Sequence, residues 1–295
     1  MNGTLMEETV SPKKKGFALT ALILTTVFWG TSFIITKTVT KELPIYAYLT
    51  LRYSIALIGV IPIIYRFKGF NKKIIYGGIS TGILYFISIA FQTYGLQTTT
   101  AGKAGFITGL GTVLVPFMMW FAYKKRVKFR VWIAVVLSTV GMGFLLLEGE
   151  SGVFIGDMLV LVCAVFYAIF IVANDNYVRK IDVYLFSVVQ LATLSLLSLG
   201  SSFVLGENWN ISSKPIDFWL IMIYMGIGVT TLTFLFQNYG QQYITPAKTA
   251  IIFTLEPVFA AFFGFLFGNE LLTVFGLIGA TIIFIALLIT VIKNE

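Results

Sequence analysis

FQNYGQQYITPAKTAIIFTLEPVFAAFFGFLFGNE, residues Phe236–Glu270, is a stretch the chain has already written once. Moved back by 145 residues it lies without a gap on Phe91–Lys125, FQTYGLQTTTAGKAGFITGLGTVLVPFMMWFAYKK. Phe91, Gln92, Tyr94, Gly95, Gln97, Thr100, Lys103, Ile107, Leu110, Val113 and Phe117 each meet the same residue in the later copy. Chance similarity of apolar composition does not place an FQxYG and a lysine at matched spacing, so the pattern reads as an internal duplication. The later copy alone carries a carboxylate, Glu256, where the earlier one has Gly111.

The duplication extends upstream. Val27–Tyr53, VFWGTSFIITKTVTKELPIYAYLTLRY, aligns with the stretch from Val165 at an offset of 138. Trp29 then meets Tyr167, Lys41 meets Arg179 and Tyr46 meets Tyr184. The growth of the offset from 138 to 145 requires an insertion, and the polar run Gly206–Pro215, GENWNISSKP, is its natural place.

Composition decides the solvent. The 295 residues are 58% hydrophobic and 12% charged, with mean hydropathy +0.91, whereas soluble domains run near 45–50% apolar and about 25% charged. A membrane helix needs about 20 apolar residues to cross about 30 Å of hydrocarbon. Ten such spans fit, at roughly 17–39, 44–65, 73–96, 102–123, 128–147, 153–174, 182–205, 215–240, 246–267 and 272–292. The expected fold is an all-α membrane protein of ten transmembrane helices. A cytoplasmic tail takes residues 1–16, the first repeat 17–147 and the second 148–295. The first apolar run is too long, and lacks the cleavage site, for a removed signal peptide. Five spans per repeat is an odd number, so the second repeat enters from the opposite side and the two form an inverted pair.

Lys and Arg set the orientation. Sixteen of them fall on segments facing the same side as the N-terminus, among them Lys13–Lys15, Arg66, Lys68, Lys72, Lys73, Lys124–Arg126, Lys128, Arg130, Arg179, Lys180, Lys248 and Lys293. Only Lys37, Lys41, Lys103 and Lys214 face the other way. The bias places both termini in the cytoplasm. It also accounts for the net charge of +8 without nucleic acid. With no histidine and one cysteine, Cys163, the chain offers no histidine relay, disulfide or cysteine-rich metal site. Cys163 reads as small core packing. Intramembrane ionisable groups are too few for a converging catalytic constellation, and no phosphate-loop motif is present. No cofactor or metal is expected.

FWGTSFIITK in the first span, AGKAGFITGL followed by LVP in the fourth, and LEPVFAAFFGFLFGNE in the ninth resemble the EamA type of the drug/metabolite transporter superfamily. The resemblance covers nearly the whole chain. It implies a secondary transporter of small organic metabolites, often outward, with a cavity lined by spans 1, 3, 4, 6, 8 and 9. Amino acids or related solutes leaving a bacterial cell are the favoured cargo. Exchange or uptake of nucleoside-like or drug-like solutes is the alternative. The partners expected are a small-molecule substrate, the lipid bilayer and a proton or substrate gradient, and a homodimer is compatible with this reading.

Candidate residues follow from polarity at membrane depth. Glu256 lies eight residues past Lys248, about 12 Å deeper. There a carboxylate must be protonated, paired or facing water, as a proton-coupling group or as a structural cap beside Pro257. Arg52 sits near the middle of span two opposite its neutral repeat mate Gln190, and is expected to meet a substrate carboxylate, Glu256 or the bundle itself. Lys103 and Lys248 are repeat mates suited to two gates or to snorkelling. Gln92 with Tyr94, and Gln237 with Tyr239, line the two vestibules or join helices. Trp29 beside Gly30, Thr31 and Ser32, with its mate Tyr167, is a candidate solute contact or a packing residue.

Overall fold

The computed structural model describes residues 11–64, 69–99, 101–124, 127–146, 155–268 and 274–291, and among these every regular element is helical. The expected charges at Arg66, Lys68, Lys125, Arg126 and Lys293, the repeat residue Thr100 and most of the tail lie outside the described residues. Among the described residues seven helices are long and apolar enough to cross a membrane, and three shorter apolar ones accompany them. In chain order they are α1 (Pro12–Val39), α2 (Ile45–Gly59), α3 (Lys72–Gly95), α4 (Ala101–Tyr123) and α5 (Phe129–Leu146). These are followed by α6 (Ile155–Val178), α7 (Val183–Val204), α8 (Ile216–Tyr243), α9 (Pro246–Phe253 and Glu256–Gly268) and α10 (Val274–Val291).

Local sequence sets the ends. Pro12 and Pro246 open α1 and α9 at the first helical turn, where a missing N–H costs nothing. Asn71 caps α3 by accepting from the Ile74 N–H, and Asp182 caps α7 by accepting from Tyr184 and Leu185. At the far end of α7, Gly206 takes φ +62°. The Glu207 N–H then reaches back to the Ser202 carbonyl and the Gly206 N–H to Phe203, which is the Schellman closure that glycine permits. The inserted Gly206–Pro215 loop folds back over the start of α2. Glu207 accepts from the backbone N–H groups of Tyr46 (3.2 Å) and Ala47 (2.7 Å), two donors that α2 cannot satisfy itself. Trp209 donates to the Ser202 hydroxyl at 2.7 Å and packs on the core.

Two helices depart from the expected continuous spans. α8 widens into a π-helix over Tyr224–Leu232, so the Thr230 and Thr231 hydroxyls reach carbonyls five residues back, Met225 and Gly226. α9 is interrupted at Thr254–Leu255 and restarts at Glu256, where Pro257 removes a ladder donor. π-turns and broken helices inside membranes gather at functional sites.

The two sequence repeats interlock. α6 packs on α3 and α4, α7 on α2 and α3, α8 on α1, and α5 on α10. Small residues permit the closest approaches. A Cβ on Gly111 of α4 would stand 2.5 Å from the Ala164 carbonyl oxygen of α6, and one on Gly156 would strike the Gly95 carbonyl. Such backbone contact replaces the hydrophobic drive that lipid cannot supply. Most helix hydroxyls bond the carbonyl three or four residues back, as Thr25, Thr93 and Thr139 do, so they cost little at depth.

Candidate functional site

A cavity, part of it open to the exterior, with about 380 Å³ of space between its walls when the open solvent is counted, lies where α1, α2, α3, α4, α6 and α9 converge. Trp29, Ser32, Arg52, Gln92, Tyr167 and Glu256 all line it. So do Tyr85, Ser88, Ile89, Thr108 and Cys163, which sequence reasoning did not select. Cys163 lies against Ser88, whose hydroxyl bonds its carbonyl at 3.1 Å and its sulfur at 3.3 Å. A serine one helix away, at no recognisable spacing, gives a sequence reader nothing to find.

Arg52 is 3% exposed. Its Nε donates to the Thr230 hydroxyl at 2.8 Å and its Nη1 to the Tyr48 hydroxyl at 3.3 Å. Tyr48 in turn shares a 2.8 Å bond with Thr36 of α1. A guanidinium has five N–H donors, and no further acceptor for Arg52 is found among the described residues. Thr230 donates its own proton to the Met225 carbonyl at 2.7 Å. The π-turn therefore turns the oxygen lone pairs of Thr230 toward the arginine. Beyond Thr230, Thr233 accepts from Trp29 Nε1 at 3.2 Å, so one face of α8 holds both cavity side chains.

Glu256 is 5% exposed at the restart of α9. The described residues contain two ion pairs, Arg179–Asp175 at 2.9 Å and Lys214–Glu42 at 2.8 Å. Neither includes Arg52 or Glu256. Two groups able to carry opposite charge thus border one cavity and do not neutralise each other. Isolated ions are costly at this depth. Without an ion partner, Arg52 is left to water in the cavity that it lines, and Glu256 to the same water or to a bound proton.

Aromatic rings floor the cavity. Trp29 packs edge-on to Tyr167 at 5.9 Å and against Phe253 at 5.0 Å. Tyr85 meets Phe170 at 5.0 Å and Phe234 at 4.9 Å. The buried Tyr167 hydroxyl and Gln237 Oε1 have no partner of ordinary hydrogen-bond geometry.

Five expected site residues lie elsewhere. Tyr94 is 37% exposed and packs on Tyr46. It is two residues from Gln92, about 200° around the helix, so the pair cannot share a wall. Tyr239 is likewise turned away from Gln237, against Phe17 and Tyr243. Gln237 is buried beneath the aromatic floor, within 3.4 Å of Gln241. Lys103 is buried at the start of α4 and Lys248 half-buried at the start of α9, both away from the cavity lining.

Below Gln237 lies a buried amide cluster that the sequence did not announce. Asn174 donates to Asn238 Oδ1 (2.8 Å) and Gln241 Oε1 (2.7 Å). Gln190 donates to Asn174 Oδ1 and to Thr81, both at 2.9 Å. Asn238 donates to Ser187 and Gln190, both at 2.7 Å, and Gln241 to the Ile171 carbonyl at 3.0 Å. None of the four amides is more than 1% exposed.

The EamA-like transporter family matches residues 16–147 and again 154–292. The chain belongs to that family. An uncharacterized transporter of Archaeoglobus fulgidus is 32% identical over 276 residues, spanning 94% of this chain and 86% of that protein. The uncharacterized transporter YetK of Bacillus subtilis is 22% identical, spanning 96% and 89%. One solved crystal structure superposes with a TM-score of 0.77 at 16% identity, covering 93% of this chain and 96% of its own; that likeness concerns the fold alone. This EamA-like protein is an integral, multi-pass membrane protein of a transporter family.

Proposed function

We propose that this EamA-like protein is a secondary transporter that exports small organic metabolites, amino acids or related solutes, by alternating access. The observation that carries the reading is the cavity in which Arg52 and Glu256, both buried, face a common space without pairing. A solute with an anionic and a cationic end satisfies both groups at once, and the aromatic floor takes its apolar part. Glu256 also serves as the group that exchanges a proton when the solute is absent. No kinase-type or P-loop motif supplies nucleotide energy, so the driving force is a gradient of solute or proton.

In this reading the three shorter helices also cross the bilayer, giving ten spans. They divide into a tail at 1–16 and inverted repeats at 17–147 and 148–295, whose relative rocking opens the cavity to each side in turn. The lysine and arginine bias supports a cytoplasmic location for both termini in a bacterial plasma membrane. Gln92, bonded to Thr108 at 3.1 Å, belongs to the cavity wall. Lys103, Lys248 and Gln237 serve the closures above and below it.

Counterflow in proteoliposomes tests the reading, with a panel of radiolabelled amino acids, their decarboxylated amines and nucleosides. Saturable accumulation of amino acids, weaker for the amines, is the expected outcome. Accumulation of no solute, alongside a saturable chemical conversion, overturns it.

A further inference from the structure

Arg52 and the amide cluster are built on the same plan. Arg52 stands on α2, bonds across to Thr230 on α8, and reaches Thr36 on α1 through Tyr48. Gln190 stands on α7, bonds across to Thr81 on α3, and reaches Asn174 on α6 directly. Under the offsets of 138 and 145, α7 is the mate of α2, α3 of α8 and α6 of α1. Gln190 is itself the mate of Arg52, and Asn174 the mate of Thr36. The partner helices correspond one for one. What differs is exposure to the cavity: Arg52 lines it, whereas the amide set is closed on itself below the aromatic floor.

Resting on the inverted-repeat reading above, we infer that Asn174, Gln190, Asn238 and Gln241 form the second lining of the solute path. In the present state they are zipped shut, and they are bared when the cavity opens toward the face where α1 begins. When inverted repeats exchange conformations, each takes up the arrangement its mate now shows. The site now held by Gln190 then becomes the open one, and the Arg52 site the closed one. This accounts for an otherwise costly choice, four buried primary amides inside a membrane bundle. Satisfied by one another they hold the closure. Separated, they are at home against water and a passing solute, where leucine in their place would leave a dry, adhesive seam. Because amides carry no charge, an exported solute entering at the face where α1 begins passes from a neutral lining to one that holds Arg52 and Glu256.

The one cysteine, Cys163, lines the present cavity and reports the opening without any knowledge of the solute. The probe is a membrane-impermeant methanethiosulfonate bearing a quaternary ammonium, applied to either face of membrane vesicles whose orientation is fixed by an N-terminal tag. Asn238→Ala removes two donated bonds and one accepted bond of the zipper. At about a factor of five to ten per buried bond, it should speed labelling of Cys163 from the α1-start face at least tenfold and slow it from the opposite face. Ser187→Ala deletes a single acceptor and should shift both rates the same way by less, which keeps the test open if Asn238→Ala fails to fold. Labelling that rises equally from both faces, or changes from neither, overturns the inference and leaves the cluster as structural glue. Absence of counterflow for every solute would instead refute the transporter reading, so the two failures are distinct.

Discussion

Thr230 is the residue on which the position of Arg52 turns. Thr230→Val keeps the side-chain shape and removes the hydroxyl that accepts from Arg52 Nε at 2.8 Å and donates to the Met225 carbonyl at 2.7 Å. Arg52 is then left with the longer bond to Tyr48 at 3.3 Å, and its Nε–H is buried against a methyl group. A hydrogen bond to a charged group contributes about 1.5–3 kcal/mol, and stranding a buried donor approaches the upper end. For a chain of this size that is roughly 2–5 °C in unfolding temperature, read by thermal unfolding of the purified protein in detergent. Thr230→Ser, which retains the hydroxyl, should recover most of the loss. A second readout isolates positioning from bulk stability. The protein labelled with ¹⁵N at its five arginines should show a slowly exchanging Nε–H resonance from Arg52 that vanishes in Thr230→Val and returns in Thr230→Ser. Equal melting temperatures for all three proteins, with that resonance undisturbed, would refute the assignment of Thr230 as the seat of Arg52.

Other substitutions probe other parts of the argument. Glu256→Gln is expected to abolish pH-dependent transport while solute exchange persists, measured by counterflow across a pH series; full pH dependence in the variant removes Glu256 from proton coupling. Gly111→Ala should cost about 1–3 kcal/mol in thermal unfolding, because its Cβ meets the backbone oxygen of Ala164, whereas Gly200→Ala, with open space around its Cβ, should cost nothing. Glu207→Ala strips the cap from α2 and should lower stability by about 1–2 kcal/mol, visible as faster amide exchange at Tyr46 and Ala47.

The duplication was legible because packing residues are what the two copies kept in common. Gly95 and Gly240, and Leu110 and Leu255, are repeat mates packed against neighbouring helices, and a matched interior demands matched shapes. The cavity was legible in part, since Arg52, Glu256 and Trp29 are unusual for their depth. The amide cluster escaped because no single member stands out, and because hydrogen bonds among α3, α6, α7 and α8 leave no trace in spacing along the chain. The π-turn of α8 and the break in α9 escaped for a related reason: apolar periodicity over Tyr224–Leu232 or Ile251–Leu255 reads the same whether the ladder closes at four residues or five. A signal was nevertheless present. Gln190 stands against Arg52, Asn174 against Thr36, Asn238 against Thr93, Gln241 against Leu96 and Glu256 against Gly111. At each the repeats disagree in polarity or in hydrogen-bonding capacity, and each member of the later copy is buried. Two halves under the same packing demand diverge where their tasks differ. Under the inverted-repeat reading proposed above, the divergent positions therefore mark the solute path more sharply than the shared ones do.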